Sequence, residues 1–576
     1  MEPNMAATST LWVDGLTIGD VLRQTAAKFP DKDAIVFPRL DKDGQPNESG
    51  HAEQDCYRLN FREFDEAVDR VARALLGIGI HKGLHVAVWA TNWPRWVLLQ
   101  LATARIGAVM VTVNPANRSS EVSYVLKQSD AAALFLVDQF KKSNYFEILA
   151  DAVPELADAT AGSLDLADYP RLRHVVSMKD HAAAGMSTWD EFISHDDSVE
   201  QSRVDEIAGT LTANDPINIQ YTSGTTGFPK GAMLSHRNLL LNAYHIGDCQ
   251  RITADDRICV PVPFYHCFGC VLGVLCCSIY GAGMIVPAEY FDAEAALEAI
   301  EAERATAIYG VPTMFIAQLE HATFSSRDMS SLRTGIMAGS PCPIEVMNRV
   351  VDDMGAREVT IAYGLTEASP VITQTRTDDQ LELRVKTVGR PIPDIEVKLV
   401  DPDTGETLGD DEQGELCTRG HVVMLGYYNM PEQTATAIDA DGWLHSGDLA
   451  TRTSNGYYRI TGRIKDMICR GGENIYPREI EEFLYTHPAV EDVAVVGIPD
   501  KKFVEDVAAW IKLKDNATAS EEELRDFCSA SLAHFKVPRH FRFVDEFPQT
   551  VTGKIQKFKI RESMIEELGL EQTETA

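Results

Sequence analysis

Two stretches of this chain follow one plan. "HVAVWATNWPRWVLLQLATARIGAVMVTVNP" (85–115) and "RICVPVPFYHCFGCVLGVLCCSIYGAGMIVP" (257–287) each open on a short apolar strand. An aromatic-rich turn and a helix follow, then a Gly-Ala pair and a second strand. Two strands joined through a helix pair in parallel, because a tight hairpin cannot connect parallel neighbours. Such units build mostly parallel sheets with helices on both faces. The expected fold class is therefore α/β, with doubly wound, mostly parallel sheets in a large N-terminal part. Ligands in such sheets bind at the carboxyl ends of strands, where the turns lie.

Other segments add detail. In "NFREFDEAVDRVARALLGIG", Phe61, Phe64, Val68, Val71 and Leu75 recur at helical spacing, with Asn60 and Glu63 as a capping box. After about Val388 the pattern changes. "DIEVKLVDPDTGETLGDDEQGELCTRG" alternates between turn signals and predicts a small β segment. From near Lys465 the chain predicts a compact α+β module of roughly 110 residues, within the usual domain range. Its helix begins at Pro477, with Glu479, Glu481 and Glu482 behind it. The strands "VAVVGI" and "VAAWIKL" follow, then a helix capped by Ser520 and Glu523, then "HFRFVDEF". A chain of 576 residues exceeds one ordinary core, in keeping with two or more domains.

The formal charge of −33 argues against a nucleic-acid partner, which needs a basic face. Eleven cysteines without a framework fit a reducing cytoplasm. The start, "MEPNMAATSTLWVDG", has no secretory pattern. The uncharged run Cys267 to Pro287 carries glycines and turns from helical to strand character near Gly281. It is expected to be buried core and not a membrane span.

"IQYTSGTTGFPKGAMLSH" (219–236) sits between an apolar run and a helix-like run. Glycines such as Gly224 and Gly227 let backbone N–H groups converge on phosphate oxygens. Thr222, Ser223, Thr225 and Thr226 add hydroxyls, and Lys230 adds a cation. The common nucleotide-binding pattern G-x-x-x-x-G-K-[ST] does not fit, since Lys230 lies between Pro229 and Gly231. Taken alone, the loop reads either as a phosphate cradle or as a flexible linker.

"YTSGTTGFPKGAMLSH" closely resembles the phosphate loop of the adenylate-forming superfamily, which includes acyl-CoA synthetases, luciferases and peptide-synthetase adenylation domains. Further stretches match that superfamily in order: "PFYHCFG" (263–269), "AGSPCP" (338–343), "AYGLTE" (362–367), "VGRPIP" (388–393) and "GELCTRG" (414–420). "DGWLHSGDL" (441–449), "GRIKDMICRGGENIYPREIE" (462–481) and "TVTGKIQK" (550–557) complete the set. The resemblance runs from about Thr17 to about Glu567. It implies an AMP-binding N-terminal domain over 1–462, a hinge over 463–466 and a small mobile C-terminal domain over 467–576.

The same resemblance implies roles. Thr222, Ser223, Gly224, Thr225, Thr226, Gly227 and Lys230 would hold ATP phosphates. Gly339, Ser340 and Pro341 would lie on one side of adenine, with Tyr363 and Gly364 on the other. Thr366 and Glu367 suit phosphate and Mg²⁺, a hydroxyl beside a carboxylate being hard-oxygen chemistry. Asp448 would accept the ribose hydroxyls, with Arg463 beside it. Lys554 is implied as the catalytic lysine: adenylation joins two mutually repelling anions, and a cation between them lowers the barrier. Lys465 resembles the hinge residue, and Gly471, Gly472 and Glu473 the loop facing coenzyme A. His266, Val311, Gly335 and Met337 are implied at the acyl pocket, His266 also as a gate. Cys267 and Cys270 imitate a redox motif, but no second cysteine pair at suitable spacing accompanies them.

The implied function is an ATP-dependent, AMP-forming ligase joining a carboxylic acid, of medium- to long-chain fatty type, to coenzyme A through an acyl-adenylate. The alternatives are a separate carrier protein as acceptor, or an aryl or other acid as substrate. Its partners would be the acid, ATP and coenzyme A, without a transmembrane segment. Peripheral membrane contact, and a monomer or a homodimer, are left open by the residues.

Overall fold

The computed structural model describes residues 11–41, 56–222, 229–340, 342, 344–470, 473–500, 503–549 and 555–570, with backbone only at 469, 473, 474 and 504. The two similar stretches each form a parallel strand pair, and they fall in different sheets. Strands His85–Trp89 and Val109–Thr112 are parallel neighbours in a seven-stranded sheet. Strands Arg257–Cys259 and Gly283–Ile285 are parallel neighbours in a nine-stranded one. Both sheets are mixed only towards their ends. In the first, Pro216–Thr222 joins in parallel, and Lys230–Ser235 and Gly426–Tyr427 add antiparallel strands. In the second, Ala307–Gly310, Thr334–Ala338 and Glu358–Gly364 extend the parallel run, and Val371–Gln374 turns back against it.

The helix Pro94–Ile106 inside the first unit has only Arg95 outside full burial. A helix apolar all round must be enclosed, which is why "WVLLQLATA" carries no polar stripe. Its one buried charge near the end, Arg105, is met by Asp69 at 2.7 Å and by Asp65. The stretch Cys267 to Pro287 is core, as expected. A π-helical turn, Phe268–Leu275, runs into the helix Cys276–Tyr280, which ends at Gly281 with φ +70°. Among the described residues no helix is long and apolar enough to cross a membrane. The capping box at Asn60 and Glu63 closes with both bonds at 2.9 Å. At Ser520 the hydroxyl takes the Glu523 N–H at 3.1 Å, one of the two bonds of the expected capping box.

The chain divides into two compact units, Met1–Glu396 with Thr418–Leu444, and Val397–Cys417 with His445–Ala576. The small β segment forms a four-stranded sheet in the order Ile395–Val400, Gly414–Gly420, Leu444–Arg452, Tyr458–Arg463. Most of that sheet thus groups with the C-terminal unit, where Arg459 pairs with Glu482 at 2.6 Å. In the same unit, strands Val490–Asp500 and Val504–Leu513 pair antiparallel, and His540–Phe543 adds in parallel. Their apolar runs are continuous because both faces are covered. Val493, Val495, Val507 and Ile511 pack on Ile480, Leu484 and Leu524. Ala494, Val496, Ile498 and Trp510 pack on Phe547, Ile560 and Met564. The period-two alternation of strand side chains divides one run between two clusters.

Candidate active site

The phosphate-type loop is the turn of an antiparallel hairpin. Strands Pro216–Thr222 and Lys230–Ser235 pair, and Thr222 faces Lys230 as the last register partners. Ser223, Gly224, Thr225, Thr226 and Gly227 lie outside the described residues. At the hairpin's end a polar cluster assembles from four points of the chain. Glu367 sits in the one-turn helix Thr366–Ala368, just beyond the strand Glu358–Gly364. Its Oε1 accepts the Tyr427 hydroxyl at 2.7 Å and the Thr222 hydroxyl at 3.4 Å. Lys230 Nζ lies 5.0 Å from the Tyr427 ring centroid, within cation–π range. Thr366, Glu367 and Lys230 are half-buried. Burial, then the Glu367 charge, pushes the Tyr427 phenol well above its ordinary pKa, so it stays protonated and donates.

Tyr427 was missed by the sequence reading. The segment "LGYYNMPE" contains no motif that marks it. Its place is decided by pairing, since Tyr427 is the register partner of Ala232, beyond Lys230 in the hairpin. A hydrogen bond to a charged group is worth about 1.5–3 kcal/mol. Tyr427→Phe is therefore expected to lower pyrophosphate exchange by roughly tenfold or more. The loss should shrink as Mg²⁺–ATP rises; an unchanged rate at low ATP would contradict the contact.

The segments expected around adenine emerge together. Ala338 and Ala362 are register partners in parallel strands, so Gly339 and Ser340 leave the sheet beside Tyr363 and Gly364. Gly339 holds φ +88°, and a Cβ there would sit 3.1 Å from Val311 Cγ1. A Cβ on Gly364 would lie 1.8 Å from the Pro370 carbonyl oxygen. The glycine in "AYGLTE" is thus demanded by the close return of the chain. Pro341 lies outside the described residues.

Of the residues expected at the acyl pocket, Val311 is half-buried and caps the helix Pro312–Leu319. His266 is half-buried, its ring 4.4 Å from that of Tyr265. Met337 is wholly buried among Phe315, Met347 and Ile361. Gly335 lies against the neighbouring strand, where a Cβ would be 2.1 Å from the Ile308 carbonyl oxygen. Gly335→Ala is accordingly expected to cost about 3 kcal/mol in stability. A thermal midpoint equal to that of the parent would remove this reading. Cys267 and Cys270 are buried, and the hydrogen bond that the Cys267 thiol donates to Cys270, with burial, raises the Cys267 thiol well above its usual range. Such a thiol stays protonated and unreactive.

In the C-terminal unit, Asp448 and Arg463 are register partners on adjacent strands. Arg463 Nε donates to Asp448 Oδ1 at 2.7 Å, with Asp448 buried and Arg463 exposed. The Ser446 hydroxyl accepts the Asp448 N–H at 3.1 Å, fixing the turn "SGD". Lys465 is exposed in the turn Ile464–Asp466. Glu473 opens the strand Glu473–Ile475, paired to Arg470. Gly471, Gly472 and Lys554 lie outside the described residues. The described residues on either side of Lys554 are held by the bridge Gln549–Ile555 and by Gln556 N–H donating to the Pro548 carbonyl at 2.7 Å.

Comparison with known proteins shows the family. The model of the AMP-binding enzyme family matches residues 22–428, and that of the AMP-binding enzyme C-terminal domain matches residues 479–554. YngI of Bacillus subtilis (strain 168), provisionally named an acyl-CoA synthetase, is 50% identical, covering 96% of this chain and 98% of its own. The mitochondrial medium-chain acyl-CoA ligase ACSF2 of Bos taurus is 41% identical, covering 97% and 89%. Among solved structures, the anthranilate CoA ligase AuaEII with anthranoyl-AMP is similar at a TM-score of 0.81. It is 26% identical and covers 96% of this chain and 98% of its own.

Proposed function

Because this chain belongs to the AMP-binding enzymes, adenylate-forming ligases with the architecture of AMP-forming acyl-CoA synthetases, we propose that it joins a medium- to long-chain fatty acid to coenzyme A. The first half-reaction is the family's own: a carboxylate oxygen attacks the α-phosphorus of ATP, forming acyl-adenylate and releasing pyrophosphate. In the second, the coenzyme A thiol loses its proton and attacks the acyl carbon, and AMP leaves with the bonding pair.

The observation that carries this reading is the cluster of Thr222, Lys230, Glu367 and Tyr427 at two strand ends. Lys230 offers positive charge to phosphate. The Tyr427 hydroxyl holds one oxygen of Glu367, while Oε2 takes no hydrogen bond among the described residues. That free hard oxygen, with Thr366 beside it, fits Mg²⁺, which would screen the phosphate charge when bound. Asp448, held by Arg463, would accept the ribose hydroxyls through its two oxygens. Tyr363 and the Gly339–Ser340 backbone would flank adenine.

Lys554 would bridge the two anions from the C-terminal domain, with domains at 1–462 and 467–576 and Lys465 as the hinge between them. After adenylation the small domain would turn, bringing Gly471, Gly472 and Glu473 to the thiol path. His266, Val311, Gly335 and Met337 would bound the acyl chain. The medium-chain name of the ACSF2 relative supports the acid class. A cytoplasmic location is supported by eleven cysteines scattered without a disulfide framework.

The test is a panel of carboxylic acids in a pyrophosphate-release assay, with free coenzyme A and mass detection of thioester. The expected result is preferred release with aliphatic acids and stoichiometric acyl-CoA. Acyl-adenylate accumulating without thioester would transfer the acceptor role to a carrier protein. Preference for aromatic acids would overturn the fatty-acid assignment.

A further inference from the structure

The strand Gly414–Gly420 carries Glu415 and Cys417 on one face, and His445 stands on the neighbouring strand Leu444–Arg452. A carboxylate oxygen, a sulfur and an imidazole nitrogen from these residues all lie within 4.8 Å of one another. His445 Nδ1 is 2.7 Å from Glu415 Oε2 and 3.4 Å from Cys417 Sγ. Glu415 and Cys417 are buried, and His445 is half-exposed. The adenylation chemistry above uses none of the three.

Glu415 relies on His445 for its charge partner. A buried carboxylate is ordinarily met by a cation. Among the described residues no lysine or arginine pairs with Glu415; its carboxylate accepts only from His445 and from the Gly447 N–H at 2.9 Å. The ligand types also match a definite class of ion. Thiolate with imidazole selects zinc-like ions over magnesium or calcium. Tetrahedral zinc bond lengths place sulfur and nitrogen ligands about 3.6 Å apart, and nitrogen and oxygen about 3.4 Å apart. The Sγ to Nδ1 separation of 3.4 Å is already close to that value. The Oε2 to Nδ1 separation of 2.7 Å has to open, by about 0.7 Å on the same bond lengths.

We propose that Glu415, Cys417 and His445 form a binding site for a zinc-class dication, with three protein ligands. On loading, the Cys417 thiol gives its proton to solvent, and the imidazole carries its proton on Nε2, leaving Nδ1 to bind. The dication then balances one carboxylate and one thiolate. Because Glu415 Oε1 also holds Gly447, the residue before Asp448, the ion borders the proposed ribose carboxylate. The site itself does not depend on the adenylation reading.

The experiment titrates the reduced, metal-stripped full chain with Co²⁺ alone. The expected result is saturation at one ion per chain with a near-ultraviolet thiolate-to-cobalt charge-transfer band. An equivalent of Zn²⁺ should abolish the band and an excess of Mg²⁺ should leave it. Cys417→Ala should lose the band, and His445→Gln should weaken binding by roughly tenfold or more. Both variants are compared with the parent by circular dichroism and unfolding midpoint, so that loss of fold is separated from loss of a ligand. A parent without the band, or a band intact in Cys417→Ala, overturns the site and leaves the three residues a hydrogen-bonded cluster.

Discussion

Glu367→Gln is expected to reduce acyl-adenylate formation by about 10²–10³-fold, the scale of losing one charge-stabilising group aimed at developing negative charge. The substitution is nearly isosteric. The amide oxygen can still accept from Tyr427 and Thr222, so the contacts at 2.7 and 3.4 Å are preserved in kind. What disappears is the negative charge at Oε2, the oxygen proposed to meet Mg²⁺. The deficit should therefore appear in pyrophosphate exchange and in a raised Mg²⁺ requirement, with the thermal midpoint unchanged. An exchange rate within a few-fold of the parent at limiting Mg²⁺ would show that Glu367 serves only to hold Tyr427.

Lys554→Ala is expected to lower acyl-adenylate formation by about 10³-fold or more, while thioester formation from supplied acyl-adenylate stays close to the parent rate. The first step brings a carboxylate against an already charged phosphate; the second brings a thiol to an activated acyl group and has no such repulsion. One cation can therefore matter to one half-reaction alone. The bridge between Gln549 and Ile555, on the described residues either side of Lys554, does not involve its side chain. Equal loss in both half-reactions would refute a lysine devoted to adenylation. Measuring the two steps separately, by pyrophosphate exchange and by thioester release, makes the distinction.

The readings that rested on local pattern survived contact with the structure. The strand–helix–strand plan at 85–115 and 257–287 needed only strand-forming runs, a helix and a glycine stop, all of which lie close together in sequence. The burial of Cys267 to Pro287 followed from its change of period at Gly281, which the structure places in the left-handed region. The cap at Asn60 is an interaction three residues long. Gly364 and Gly335 differ. Gly364 stands in the motif "AYGLTE" and Gly335 among the implied pocket residues, but the reason each is glycine is a carbonyl oxygen, of Pro370 in one case and of Ile308 in the other. Sequence separation hides both.

What the sequence by itself determined is the chemistry available: a Gly/Ser/Thr loop followed by a lysine, a carboxylate after "YGLT", a second in "HSGD", and a lysine in "TVTGK". It also determined the α/β class, since hydrophobic periodicity is a property of neighbours along the chain. Only the tertiary structure decided which groups meet. Tyr427 reaches Glu367 across 60 positions, Arg463 faces Asp448 across 15, and His445 joins Glu415 across 30. The physical reason is that hydrogen bonds and ion pairs act over about 3 Å of space. Strand register, which carries no local mark in these segments, sets the distances that such short-range forces require.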